Sequence, residues 1–141
     1  MLCKEVMKKD VEWISENDSA QVAARKMREA NVGFLPVCNG SRRVIGALTD
    51  RDLALRLVAN NLPATTKARD VMTNDVVSCD PDDDIAKAQE LMGSKQKSRI
   101  LCISKDGRLS GVISLSDIVQ RGESKQAFQT MKEVTSREAR T

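Results

Sequence analysis

The sequence predicts an α+β fold: two β-α-β-β-α repeats packed sheet to sheet about a pseudo-two-fold axis. Three observations predict it. The chain matches itself at a fixed offset of 65 residues. Each copy mixes short apolar runs of strand type with an apolar stripe at helical spacing. A single copy is too small to cover both faces of a three-stranded sheet, so each needs its twin.

The repeat is the first thing to establish, because missing one misreads the whole fold. Val6-Met7 recurs as Val71-Met72, and Asp10-Val11 as Asp75-Val76. Asp18 matches Asp83, Ala23 matches Ala88 and Met27 matches Met92. Arg43 matches Arg108, Gly46 matches Gly111 and Asp52 matches Asp117. Similar residues fill the intervals, among them Leu35/Ile100, Leu48/Ile113 and Thr49/Ser114. The register does not slip.

Each copy begins with a short extended segment, Val11–Ile14 and Val76–Cys79. A polar cap follows, Asn17-Asp18-Ser19 or Asp82-Asp83-Asp84. Ala20, Ala23, Ala24, Met27 and Ala30 then recur at helical spacing, as do Ile85, Ala88, Leu91 and Met92. Two strands come next, Phe34–Val37 with Val44–Leu48, and Ile100–Ile103 with Leu109–Ile113. Their connectors, Asn39-Gly40-Ser41 and Ser104-Lys105-Asp106-Gly107, are turn-forming. A closing helix is predicted over Asp50–Ala59 and Leu115–Gln120. The repeats therefore occupy residues 1–60 and 71–121, joined by a linker at 61–70 that carries Pro63. Residues 122–141 form a C-terminal segment in which Ala127, Phe128, Met131 and Val134 line one side of a short helix. Such a helix is marginal alone, so it is expected to dock on its own dimer or on a partner, with Thr135–Thr141 frayed.

Composition limits the chemistry. The 141 residues are 40% hydrophobic and 30% charged, as in a globular domain. Aromatics are 2%, so the core must be aliphatic. There is no histidine, which excludes imidazole acid–base chemistry, His-based triads and His-ligated metals. No apolar run reaches the ~18 residues of a membrane span, and the start lacks the apolar stretch of a secretory signal. The four cysteines, Cys3, Cys38, Cys79 and Cys102, form no C-x-x-C pair. Cys79 and Cys102 lie in apolar strand runs and read as buried thiols of a reducing, cytoplasmic compartment. Net charge is +3, and residues 121–141 hold five Lys/Arg against three Asp/Glu. The rest is nearly balanced, so there is no basic stripe for nucleic acid. A small anionic ligand needs only a few local cations.

The strand-to-helix corner carries the most information. It reads Gly46-Ala47-Leu48-Thr49-Asp50-Arg51-Asp52-Leu53 in one copy and Gly111-Val112-Ile113-Ser114-Leu115-Ser116-Asp117-Ile118 in the other. Thr49 with Asp52, and Ser114 with Asp117, have the spacing of a capping box. The same geometry offers a hydroxyl and free helix amides to a phosphate, and a carboxylate to the two hydroxyls of a ribose. The glycine would let a flat ring approach the backbone. The two readings are compatible.

These corners, the V-M-x-x-D-V openings and the Phe34-Leu35-Pro36-Val37 strand resemble a CBS domain pair, the tandem module named after cystathionine β-synthase. The resemblance covers about residues 3–121. It implies a regulatory module binding adenine nucleotides or related adenosyl ligands in clefts between the repeats, often as a homodimer. It further implies Arg99 and Ser116 on phosphate, Ser114 at the helix start, Asp117 on ribose, and Val77 and Val112 at the adenine wall. Copy one has Phe34 where copy two has Arg99, fifteen residues before Ser114. There Thr49 and Asp52 fit the pattern, and Arg51 is the candidate replacement cation; Arg42-Arg43 in the inter-strand turn is a weaker one. Leu101 departs from the proline usual in the family.

The acidic group Asp80, Asp82, Asp83 and Asp84 lacks the glycine and glutamate of a calcium loop, so it reads as helix capping and no metal site is assigned. The resulting expectation is a stand-alone sensor for AMP, ADP or ATP that signals through conformation or partner affinity. It is not an enzyme, requires no cofactor, and contacts neither nucleic acid nor membrane. The effector protein is not identified. The alternative is a ligand-free dimerisation or docking scaffold that acts through the C-terminal segment.

Overall fold

The computed structural model describes residues 1–121 and 124–136. Its elements follow the repeat. Helix α1 spans Cys3–Val6, strand β1 Ile14–Ser15, helix α2 Ala20–Ala30, strand β2 Phe34–Cys38 and strand β3 Val44–Thr49. Helix α3 is the turn Asp50–Asp52 and leads into a π-helical stretch, Leu53–Val58. The second series is α4 Ala68–Val71, β4 Ser78–Cys79, α5 Ile85–Lys95, β5 Arg99–Ile103, β6 Leu109–Ser114 and α6 Leu115–Arg121. Helix α7, Ser124–Thr135, closes the described chain.

The main helices form where the pattern predicts. Ser19 caps α2 by accepting the Val22 amide at 3.2 Å, and Asp84 caps α5 by accepting the Ala86 amide at 2.9 Å. Both end on a left-handed residue, Asn31 and Gln96. The strands extend one residue beyond the predicted ends at Cys38, Thr49, Arg99 and Ser114, while β1 and β4 are shorter and later than predicted. The closing helix of copy one, predicted over Asp50–Ala59, differs in winding. Ala59 donates to the Ala54 carbonyl, and Leu62 to the Leu57 carbonyl. Leu53 and Leu57 lie on the core side, and their spacing of four suits either winding, so the sequence pattern does not distinguish them.

There are two three-stranded sheets, β1-β2-β3 and β4-β5-β6. In each, the first strand runs parallel to the second and the second antiparallel to the third. Two compact units result. One is Glu12–Val76; the other is Met1–Val11 with Val77–Thr141. The segment that opens copy one thus completes the sheet of copy two. The Lys8 amide donates to the Val112 carbonyl at 2.9 Å and the Val112 amide to Lys8 at 3.0 Å. In the other unit Thr73 and Ala47 exchange the same two bonds, at 2.8 and 3.0 Å. The β3 and β6 edges are thereby each bridged at one residue.

The glycines of the corner motif serve this crossing. A Cβ on Gly111 would lie 2.6 Å from the Lys8 carbonyl oxygen and 2.8 Å from Met7 Sδ. On Gly46 it would lie 2.6 Å from Met72 Sδ and 2.8 Å from the Thr73 carbonyl oxygen. The close approach expected of a ligand ring is made by the protein's own backbone.

Each unit has its own aliphatic core. Ile14, Leu35, Val37, Leu48, Leu57 and Val71 fill one. Val6, Met92, Ile100, Ile113, Ile118 and Val134 are among those filling the other. Met27 and Met92 are core residues, as predicted. The C-terminal helix corrects one expectation. Helix α7 docks on its own unit, burying Ala127, Thr130 and Val134, whereas Phe128 is 66% exposed. Gly93 makes the space: a Cβ there would collide with the Glu133 side chain. Of the predicted frayed end, Thr135–Thr141, Thr135 still belongs to α7, and residues 137–141 lie outside the described residues.

Candidate functional site

The second corner is assembled within one unit. β5 and β6 are antiparallel, and Arg99 stands directly opposite Ser114, Leu101 opposite Val112. Opposed residues share a face, with Cβ atoms about 4.5–5.5 Å apart. Arg99, Val112 and Ser114 are therefore brought together on one face, with Arg99 at the rim. Arg99 is exposed. Its guanidinium makes no ion pair or hydrogen bond among the described residues.

Asp117 sits one turn into α6 and is 9% exposed. Its Oδ2 accepts the Ser114 amide at 2.9 Å and the Ser114 hydroxyl at 2.8 Å. Ser114 Oγ accepts the Asp117 amide at 3.2 Å and lies 2.8 Å from Ser116 Oγ. The capping box is thus present. It engages a single oxygen of the carboxylate. Among the described residues nothing bonds Asp117 Oδ1. Ser116 is exposed on the first turn. Val112 is buried, whereas Val77 is half-buried and packs against the core that contains Ile100 and Ile113.

The first corner follows the same plan with different chemistry. Thr49 and Asp52 exchange both bonds of the box, each at 3.0 Å. Asp52 takes further partners. The Thr73 hydroxyl reaches both carboxylate oxygens, at 3.3 and 3.4 Å, and Arg56 Nε lies 3.8 Å from Oδ1. Phe34 stands opposite Thr49 in the place of Arg99. Arg51 is exposed, and its side chain makes no ion pair among the described residues. Asp50 adds a second carboxylate at the corner, where copy two has Leu115. Arg42, the weaker candidate, stands 5.8 Å above the ring of Trp13, within cation–π range.

Other polar groups have plain tasks. Asp83 accepts the Asp80 amide at 2.9 Å and pairs with Lys87 at 3.4 Å. Asp80 accepts the Asp82 amide at 2.8 Å. Among the described residues no cluster of acids and cysteines is arranged to hold a metal ion. All four cysteines are buried and free. Burial pushes the Cys3 thiol up to about 12 and raises Cys38 as well. The Cys79 thiol is raised by its hydrogen bond with Cys102 and by burial. Raised in this way, Cys3, Cys38 and Cys79 are protonated near neutrality and unsuited to nucleophilic work. No helix of the described residues is long and apolar enough to cross a membrane.

Comparison with known proteins decides the family. The family model for the CBS domain matches twice, over residues 3–59 and 68–123. The chain belongs to the CBS domain family. This tandem CBS chain is 36% identical to the uncharacterized protein YlbB of Bacillus subtilis over 116 residues, 82% of this chain and 78% of that one. It is 33% identical over 128 residues to inosine-5'-monophosphate dehydrogenase of Methanocaldococcus jannaschii, covering 91% of this chain but only 25% of the enzyme. Two solved structures share its fold. The CBS domain protein PAE2072 of Pyrobaculum aerophilum, complexed with AMP, superposes with a TM-score of 0.78 at 20% identity, covering 94% of this chain and 99% of that chain. The CBS domain pair of protein MJ0100, in complex with 5'-methylthioadenosine and S-adenosyl-L-methionine, gives 0.75 at 22% identity, covering 85% and 94%.

The CBS corner motif and the spacing of Arg99 from Ser114 were legible in the sequence; their pairing across β5 and β6 was not. Nor were Thr73 and Arg56. Both come from outside the motif, and only the crossing of the opening segment brings Thr73 to Asp52.

Proposed function

We propose that this CBS chain is a regulatory module that binds an adenosine-based ligand at the Arg99–Ser114–Asp117 corner, with AMP, ADP and ATP the first choices. One observation carries the reading. Among the described residues, a guanidinium with no partner and a carboxylate with one unbonded oxygen stand at this one corner. A phosphate suits the guanidinium and the Ser116 hydroxyl. A ribose offers hydroxyl donors to Asp117 Oδ1. Val112 provides an aliphatic surface for the base. The AMP, 5'-methylthioadenosine and S-adenosylmethionine held by the two structural neighbours support the adenosyl class.

The role is regulatory, not catalytic. The chain has no histidine, and its four thiols are buried. A ligand regulates by its different affinity for two conformations, and the shift it causes is limited by that difference. The rival scaffold reading rested on an apolar side of the C-terminal segment, and Ala127 and Val134 are buried in the chain's own core. Thermal unfolding with AMP, ADP and ATP tests the proposal. At about 100 times the dissociation constant the stabilisation should be about 2.7 kcal/mol. No change with any adenosyl compound would contradict it.

A further inference from the structure

The two corners differ in whether their aspartate is free to take another partner. Asp52 has partners on both oxygens: Oδ2 accepts the Thr49 amide at 3.0 Å, the Thr73 hydroxyl lies 3.3 and 3.4 Å from the two oxygens, and Arg56 Nε lies 3.8 Å from Oδ1. Asp117 has Oδ1 unbonded among the described residues. Both differences trace to equivalent positions. Thr73 corresponds to Lys8, and each bridges the matching residue, Ala47 or Val112, with its backbone. Threonine carries a short hydroxyl that closes on the carboxylate. Lys8 is exposed and makes no ion pair among the described residues. Arg56 corresponds to Arg121, and both guanidiniums donate to carbonyls of an opening segment, Arg56 to Met72 and Val71 at 2.6 and 3.5 Å, Arg121 to Glu5 and Val6 at 3.3 and 3.4 Å; among the described residues only Arg56 also lies beside its aspartate, with Nε 3.8 Å from Oδ1. Charge runs the same way. The first corner has Phe34 and the extra Asp50, where the second has Arg99 and Leu115.

We propose that each chain holds one ligand molecule, at the Asp117 corner, and that Thr73 and Arg56 keep the Asp52 corner closed. This rests on the adenosyl-binding reading above. It adds the number of sites and the residues that set it.

Calorimetric titration of the full chain with AMP, ADP, ATP and S-adenosylmethionine, each separately, tests it. The expected stoichiometry is one per chain. Asp117→Asn keeps an oxygen for the Ser114 amide and replaces the open Oδ1 with a donor. Affinity should fall about tenfold or more, with little change in the unliganded melting temperature. Asp52→Asn should do the reverse. Affinity stays within about twofold, and the melting temperature drops by about 4–8 °C for each lost kcal/mol, as in small domains. Two equivalents per chain overturns the single-site proposal while leaving the adenosyl reading intact; binding lost in Asp52→Asn and kept in Asp117→Asn overturns the placement at the Asp117 corner in both. No binding of any of the four probes overturns both. The stoichiometry needs no variant, so the proposal stays testable should Asp52→Asn not fold.

Discussion

Arg99 stands directly across the β5–β6 ladder from Ser114, so an exposed cation and a helix-capping hydroxyl share one face of one sheet. In the other repeat the same two positions hold Phe34 and Thr49. The pair marks which corner attracts an anion. If the guanidinium meets a phosphate, Arg99→Ala should weaken AMP binding by about one to two decades, the range for a charge-assisted bond of about 1.5–3 kcal/mol. Adenosine, lacking the phosphate, should bind the variant and the parent alike. Equal losses for both ligands would mean that Arg99 supports the fold rather than the phosphate.

Gly111 lies under the opening segment, with the Lys8 carbonyl oxygen 2.6 Å from where a Cβ would stand. Gly111→Ala should therefore destabilise the chain by about 1–3 kcal/mol, the cost of overpacking. The neighbour is backbone and cannot swing away. Urea unfolding measures this directly. An unchanged midpoint would show that the Met1–Val11 segment does not hold its place on β6.

The thiols give a chemical test of burial. Cys3 is pushed up to about 12, and Cys38 and Cys79 are raised. The thiolate is the reactive form. Iodoacetamide at pH 8 should label the native chain slowly and all four cysteines rapidly in guanidinium. Rapid native labelling of Cys3 would mean that α1 leaves its site.

Asp83 predicts part of the acid limb of stability. The hydrogen bond from the Asp80 amide, with Lys87 adding attraction, holds its carboxyl below the ordinary range. A depressed carboxyl contributes stability above its unfolded value of ~3.9, and that contribution is lost as pH falls through the lower folded value. Asp83→Asn should therefore be less stable than the parent at pH 7, with the gap closing as the pH falls below the unfolded carboxyl value of ~3.9. A gap that persists unchanged at acid pH would assign the loss to packing.

Much of the fold was legible because the chain repeats itself. Gly46 with Gly111 and Asp52 with Asp117 placed both corners, and the stripes at Met27 and Met92 placed both core helices. What escaped depends on long-range placement. Nothing near Lys8 or Thr73 shows that each crosses to the sheet it pairs with. Phe128 reads as lining the same side as Ala127, yet Thr130 takes its place, because α7 turns its i, i+3, i+7 face of Ala127, Thr130 and Val134 inward. The glycine of the corner was read for ligand access, when the opening segment needs that space. Local pattern defined the elements and the motif; the partner of each side chain was decided by topology.

A crystal structure of the chain soaked with AMP tests the central claim most directly. The account predicts one nucleotide per chain, with a ribose hydroxyl on Asp117 Oδ1 and the phosphate on Arg99. Density for the ribose on Asp52, or for a nucleotide that touches neither Asp117 nor Arg99, would contradict it.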